Sequence, residues 1–249
     1  MYSNKGVNSL SGELILLVED DREISSLIEL YLRKQGFDVV VAEAGEEALT
    51  QFGNSSPALI LLDINLDGMS GFTVCKEIRE VSNVPIVFIS CNKDSDDIVE
   101  GLKMGADDYI TKPFDPEVMV ARVEANLRRA PIFRRGAAPT KKDELRILSF
   151  DGLTVDLVNF QVHVNGIHVP LSAKEVQLLI FLARQPDQVF SLDELYQNIW
   201  GADSISDTRT VMVHISSLRK KLETPIAQFK YIHNIRGIGY KFNSYLPKS

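Results

Sequence analysis

Short apolar runs recur through the first half of the chain: LILLV (14–18), DVVVA (38–42), ALILL (58–62), PIVFI (85–89) and DDYI (107–110). Runs of this length between polar stretches read as strands. Residues 22–34, 45–53, 71–80, 95–103 and 116–129 carry apolar positions at helical spacing instead,. The segment LIELYLRKQG ends at Gly36, a residue suited to the turn that closes a helix,. Five strand–helix units with apolar strands imply a parallel sheet covered on both faces, a doubly wound (βα)5 α/β fold. No GxGxxG or GxxxxGK[ST] follows any of these strands, which argues against dinucleotide or nucleoside triphosphate binding,.

The pattern changes after residue 129. Residues 130–144, APIFRRGAAPTKKDE, mix Pro, Gly, Ala and charge without periodicity and read as a linker,. Residues 145–172 alternate polar and apolar positions, and the Asn165-Gly166 pair predicts a tight hairpin between antiparallel strands,. Helical spacing returns over 172–184, 191–200 and 207–223, with Asp207 placed to cap the last,. KYIHNIRGIGYKF (230–242) reads as a second hairpin turning near Gly237 and Gly239. Strands, three helices and a terminal hairpin outline an α+β winged helix-turn-helix. The expected boundaries are 1–12 for an N-terminal extension, 13–129 for the first domain, 130–144 for the linker and 145–246 for the second domain.

Composition adds little except through charge. An apolar fraction of 45% and a charged fraction of 24% fit a globular protein,. The apolar runs are too short to cross a bilayer, and residues 1–12 lack the apolar core of a signal peptide, so the cytoplasm is the expected location,. Cys75 and Cys91, the only cysteines, form neither a zinc pattern nor a disulfide framework,. Residues 1–128 hold 11 basic and 23 acidic side chains, whereas 129–249 hold 16 and 11. An acidic half fits cationic partners and a basic half fits nucleic acid.

The acidic half concentrates its chemistry at strand ends, where doubly wound sheets gather functional groups. Glu19 and Asp20 close the first strand, Asp63 the third and Ser90 the fourth, while Lys112 follows the fifth. Asp21 reads as the cap of the first helix. Converging carboxylates repel one another unless neutralised, and a hard divalent cation with oxygen ligands, Mg²⁺, meets that need. The cation and Lys112 would offset the charge of an incoming phosphoryl group, which Asp63 can attack as a nucleophile.

LILLVEDDREI, LILLDINLDGMSG, PIVFISCNKD and GADDYITKPF resemble the signature segments of bacterial response-regulator receivers. The resemblance implies that Asp63 is the phosphoacceptor and that Glu19, Asp20, Asp63 and the backbone carbonyl of Asn65 hold Mg²⁺. It also implies that Lys112 pairs with the phosphoryl group and precedes a cis proline, and that Ser90 and Tyr109 form the switch. Receivers usually carry proline where Asp67 stands, so metal affinity or phosphoryl lifetime is expected to differ here.

In DTRTVMVHISSLRKKLE (207–223), Val211, Ile215, Leu218 and Leu222 make an inward stripe,. Arg209, His214, Ser217 and the Arg219-Lys220-Lys221 cluster are assigned to the opposite face, as entry into a DNA major groove requires,. Arg236 at the hairpin tip is placed to reach a minor groove. Residues 145 to 242, with LSAKEVQLLIFLA, DELYQNIWG and IRGIGYKF, resemble the OmpR/PhoB effector domain. That likeness implies tandem DNA sites, a sensor histidine kinase and RNA polymerase as partners, and a homodimer upon phosphorylation. Arg209, His214, Arg219 and Arg236 match DNA-contacting positions of the family. Ser216 and Ser217 stand where some members carry arginine, which predicts a weaker salt dependence. Trp200, before the loop at 201–206, reads as core or as a neighbour of a polymerase contact, the core reading being favoured.

By the same resemblance Asp107, Asp108, Arg122 and Arg129 match charged positions of the receiver dimer interface, with Asp108 and Arg122 pairing across subunits. Ile98 and Val118 replace a basic–acidic pair, and Lys103 with Glu124 inverts the signs of another. Such coordinated changes would discourage pairing with paralogues. Two other readings compete. An aspartyl-phosphate phosphatase would need an acid–base aspartate at position 65, which is Asn. A DNA-binding protein with an unphosphorylated, purely dimerising first domain is disfavoured by the intact set Glu19, Asp20, Asp63, Ser90 and Lys112. The favoured reading is not an enzyme: the receiver assists its own phosphotransfer and turns over no separate metabolite.

Overall fold

The computed structural model describes residues 10–91, 95–127, 147–201, 208–223 and 230–243, without the side chains of 95–97. Most of the N-terminal extension, the linker at 130–144, Arg129, the Asp207 cap and the loop beyond Gly201 lie outside the described residues. Contacts divide the chain into two units.

The first unit carries β1 (Leu14–Val18), β2 (Asp38–Ala42), β3 (Leu59–Asp63), β4 (Ile86–Ser90) and β5 (Asp108–Thr111). All pair parallel, in the order β2-β1-β3-β4-β5. The helices are α1 (Arg22–Lys34), α2 (Gly45–Ser55), α3 (Gly71–Val81), α4 (Ser95–Lys103) and α5 (Pro116–Leu127). Alternation along the strands divides the core. Ile15, Leu17, Leu59, Leu61, Val87 and Ile89 meet Ile28 and Leu32 of α1 and Met119 and Val123 of α5,. Leu16, Val18, Ile60, Leu62 and Phe88 point to the other face and are equally buried. There Phe88 meets Phe72 of α3 edge-on at 5.4 Å,. Both faces being covered explains why the strands are apolar throughout. The last three strands each begin and end one residue later than the sequence pattern indicates, so Asp63 and Ser90 are themselves the terminal strand residues.

The second unit opens with an antiparallel sheet of β6 (Ile147–Phe150), β7 (Leu153–Asp156), β8 (Val162–Val164) and β9 (Ile167–Val169). Asn165 and Gly166 join the last two strands with φ of 49° and 78°, the left-handed pair that a two-residue hairpin requires,. Helices α6 (Ala173–Ala183), α7 (Leu192–Trp200) and α8 (Thr208–Leu222) follow, then the hairpin β10 (Ile232–Ile235) and β11 (Gly239–Phe242). Capping boxes start two of the helices: Ser172 with Glu175 on α6, and Ser191 with Glu194 on α7,. Tyr240 of β11 also exchanges two backbone hydrogen bonds of 2.9 Å with Phe190, which adds a bridge to the hairpin. A Cβ on Gly239 would strike the Phe190 backbone, so this approach requires glycine,. One core gathers Val176, Leu179, Leu195, Val211, Ile215, Leu218, Leu222 and Phe242. No helix among the described residues is long and apolar enough to cross a membrane.

Candidate functional site

Three consecutive acids after β1 do three different things. Glu19 is buried, and its backbone N–H donates to Ala42 O at 3.1 Å, beside β2. Asp20 is half-buried, and one of its carboxylate oxygens accepts the Asp67 N–H at 3.3 Å. Asp21 caps α1, accepting from Glu23 N at 2.9 Å and Ile24 N at 3.1 Å. Asp63 ends β3 and is buried; its Oδ1 accepts the Asn65 N–H at 2.8 Å. The loop from Ile64 to Ser70 is closed by the Gly71 N–H, which donates to Ile64 O at 3.0 Å. A Cβ on Gly71 would collide with the Asp63 carbonyl, so only glycine closes this turn.

Lys112 arrives from the other edge. Its backbone N–H donates to Ser90 O at 2.7 Å, and its bond to Pro113 is cis. The ammonium Nζ lies 2.8 Å from both oxygens of Glu19 and donates to Asp63 Oδ2 at 2.5 Å. Burial pushes the Glu19 carboxyl up to about 7; the Lys112 hydrogen bond opposes this shift and the Asp63 charge adds to it,. Burial would lower the Lys112 ammonium, but hydrogen bonds to Asp63 and Glu19 outweigh it and hold its pKa above the ordinary value. Ser90, wholly buried, ends β4, and Tyr109 lies buried in β5, where Gly101 of α4 leaves room for its ring.

Glu19, Asp20 and Asp63 each offer an oxygen within 4.8 Å of the others. Three hard carboxylate donors at that spacing, with the Asn65 carbonyl in the adjoining loop, fit Mg²⁺. The site holds two features that the sequence reading lacks. One is the lysine clamped between two carboxylates; the other is the Asp67 amide on Asp20. The second bond is available only because residue 67 is not proline.

The residues assigned to a dimer interface divide. Asp107 is wholly buried, and its carboxylate accepts the Ile86 N–H at 2.9 Å, so it anchors the start of β4 and cannot serve an exposed interface. Asp108 and Arg122 pair within one chain, at 3.0 and 3.1 Å, with Asn126 donating to Asp108 as well. This pair forms because β5 and α5 are near neighbours. Val118 is exposed and Ile98 half-buried.

On α8 the exposed residues are Arg209, Met212, Ser216 and Lys220, with Arg219 partly exposed. His214 is not among them: it is 1% exposed and its ring lies 5.4 Å from that of Trp200. Ser217 is also buried. Both corrections share one cause. The helix packs against α6 and α7 together, so its buried arc is wider than the four-residue stripe,. Ser216 takes the outward place assigned to Ser217. Lys221 likewise turns from the basic cluster to the buried Glu175, at 2.7 Å. Arg236 stands exposed at the hairpin tip. Trp200 is core, stacked on Tyr196 at 5.5 Å with the buried Lys174 ammonium 5.1 Å from its ring. Both capping boxes follow from Ser-x-x-Glu strings in the sequence, Ser172 to Glu175 and Ser191 to Glu194,.

Residues 15–124 match the family described as response regulator receiver domain, and residues 166–242 match transcriptional regulatory protein, C terminal. The DNA-binding response regulator MtrA of Mycobacterium leprae (strain TN) is 40% identical over 227 residues, covering 91% of this chain and 96% of that protein. The sensory transduction protein RegX3 of Mycobacterium bovis (strain ATCC BAA-935 / AF2122/97) is 36% identical, covering 91% and 97%. The solved structure of a RitR mutant superposes with a TM-score of 0.80 at 27% identity, covering 94% of this chain and 100% of that one. A parallel-sheet receiver, a winged helix and these full-length matches agree: the chain belongs to the two-component response regulators of the OmpR/PhoB family.

Proposed function

We propose that this protein is a cytoplasmic transcription regulator switched by phosphorylation of Asp63. The observation that carries the reading is the cluster in which one lysine ammonium touches both Glu19 and Asp63 at the carboxyl edge of the sheet. A carboxylate oxygen of Asp63 attacks the phosphorus of a phosphohistidine on a sensor kinase. The P–O bond forms as the P–N bond breaks, and the imidazole leaves to take a proton from water. Lys112 is already within reach of the oxygens involved and neutralises charge on the transferring group. Glu19, Asp20, Asp63 and the Asn65 carbonyl would hold Mg²⁺, which supplies charge neutralisation for the same transfer.

Ser90 then bonds a phosphoryl oxygen and the change passes to Tyr109. The receiver pairs with a second copy through its α4, β5 and α5 elements, using Val118, Ile98 and the Asp108–Arg122 pair. Two effector domains brought together gain affinity for tandem DNA sites through effective concentration. Arg209, Ser216, Arg219 and Arg236 form the DNA-facing set, and RNA polymerase is the final partner. The domain limits are those drawn from the sequence, with the receiver at 13–129 and the effector at 145–246. The protein turns over no separate metabolite, so it is not an enzyme.

Incubation with a small acyl phosphate and Mg²⁺, comparing wild type with Asp63→Ala, tests this scheme. The expected outcome is acid-stable, base-labile phosphate on wild type alone, followed by dimerisation and tighter DNA binding. Equal DNA binding and dimerisation by both proteins would show that phosphorylation is not the switch.

A further inference from the structure

The DNA-facing side of α8 contains one carboxylate that a phosphate-binding surface should not want. Glu223 follows the last helical residue, and its backbone N–H donates to Arg219 O at 2.7 Å. It lines a surface groove together with Met212, Ser216, Arg219, Lys220 and Tyr240. Both of its side-chain oxygens are used. Oε2 accepts from Arg219 Nε at 3.2 Å, and Oε1 accepts the backbone N–H of Ile232, the first residue of β10, at 3.0 Å.

Helix stability does not account for this arrangement. A carboxylate at a helix C-terminus opposes the helix dipole, and arginine four residues before glutamate is the poorer order for an ion pair. Repulsion from DNA phosphates adds a further penalty. The contacts instead have a geometric result. Arg219 is held through Nε alone, and among the described residues its two terminal nitrogens make no hydrogen bond, which leaves the end of the fork open for a phosphate,. The other oxygen holds the strand that leads, within four residues, to Arg236 at the hairpin tip.

We infer that Glu223 is a positioning residue for DNA binding, aiming Arg219 at a phosphate and fixing the hairpin to the recognition helix. This rests on the reading that α8 and the hairpin face DNA. Coulomb's law alone gives the opposite sign for its removal: deleting a negative charge near a polyanion should tighten binding. The sign of the effect therefore discriminates.

The test uses the full chain and a short random-sequence DNA duplex, with anisotropy titrations across a salt series. Glu223→Gln can still accept from Ile232 N while losing the ion pair. It is expected to bind about three- to tenfold more weakly than wild type, with the salt slope shallower by about one. In an Arg219→Ala background the same substitution should produce no further loss, which a general structural defect would not mimic. Glu223→Gln binding as tightly as wild type, or more tightly, overturns the inference, as does an undiminished loss in the Arg219→Ala background. Arg219→Ala binding like wild type would instead remove Arg219 from the DNA face and overturn both readings.

Discussion

Raising the pH of the metal-free protein should remove stability and create metal affinity at a single group, Glu19. Its carboxyl is 1% exposed and sits against Lys112 and Asp63. Burial, with the Asp63 charge adding, pushes its pKa from the ordinary 4.5 up to about 7, even though the Lys112 hydrogen bond pulls it down. The folded chain therefore keeps a proton that the unfolded chain has already lost. The stability contributed by that proton is whole below 4.5 and is lost as the pH rises through about 7,. A gap of about 2.5 units corresponds to about 3 kcal/mol, a sizeable fraction of a domain's stability,. Lys112, whose pKa is raised, stays charged throughout this window and loses its contribution only at higher pH. Mg²⁺ needs the carboxylate, so its affinity should rise about tenfold per pH unit below about 7 and level off above it. Calorimetric Mg²⁺ titrations from about pH 5.5 to 8.5, in buffers of different ionisation heat, measure affinity and proton release together. Urea unfolding of the metal-free protein follows stability over the same range. Glu19→Gln, neutral at every pH, should flatten both curves. A wild-type Mg²⁺ affinity independent of pH across this window, or an unchanged slope in Glu19→Gln, would refute the reasoning.

Three further outcomes follow from single contacts. Gly71→Ala forces a methyl group into the Asp63 carbonyl, and should cost about 1–3 kcal/mol in urea unfolding and weaken Mg²⁺ binding; an unchanged midpoint would mean that the loop yields freely,. Asp67→Pro removes the N–H that Asp20 accepts, whereas Asp67→Asn keeps it, so calorimetry should find a larger change in Mg²⁺ affinity for proline; equal changes would place the effect in the charge of residue 67,. Lys174→Met strips the 2.7 Å hydrogen bond from Ile199 O near the end of α7 and the cation beside Trp200. It should cost about 2 kcal/mol, read from the fluorescence of the one tryptophan during denaturation, and a loss below about 0.5 kcal/mol would contradict a structural role for this buried ammonium,.

What was legible in the sequence follows from how local each determinant is. Glu19, Asp20, Asp63, Ser90 and Lys112 could be assembled on paper because strand order brings strand ends to one edge, and each residue sits at or next to an end. Which partner Lys112 would choose was not legible. Glu19 just past β1 and Asp63 at the end of β3 both reach its ammonium, at 2.8 and 2.5 Å, and only the register of three separate strands brings them there. Periodicity on α8 gave the axis of the buried face but not its width. Val211, Ile215, Leu218 and Leu222 mark a stripe that one neighbour would cover, whereas α6 and α7 together cover an arc that reaches Thr210, His214 and Ser217. The polar residues at the margins of a stripe are therefore the ones whose exposure a single sequence leaves undecided. Asp107 illustrates the same point in the receiver: a charge beside an apolar strand reads as surface, yet it is buried because the start of β4 needs an acceptor for the Ile86 amide,. The polar positions most easily taken for binding groups are thus those that end helices and strands, where unsatisfied backbone groups compete with ligands for the same side chains. Glu223 is the case where the two demands meet, since one oxygen satisfies a backbone amide while the other aims an arginine outward.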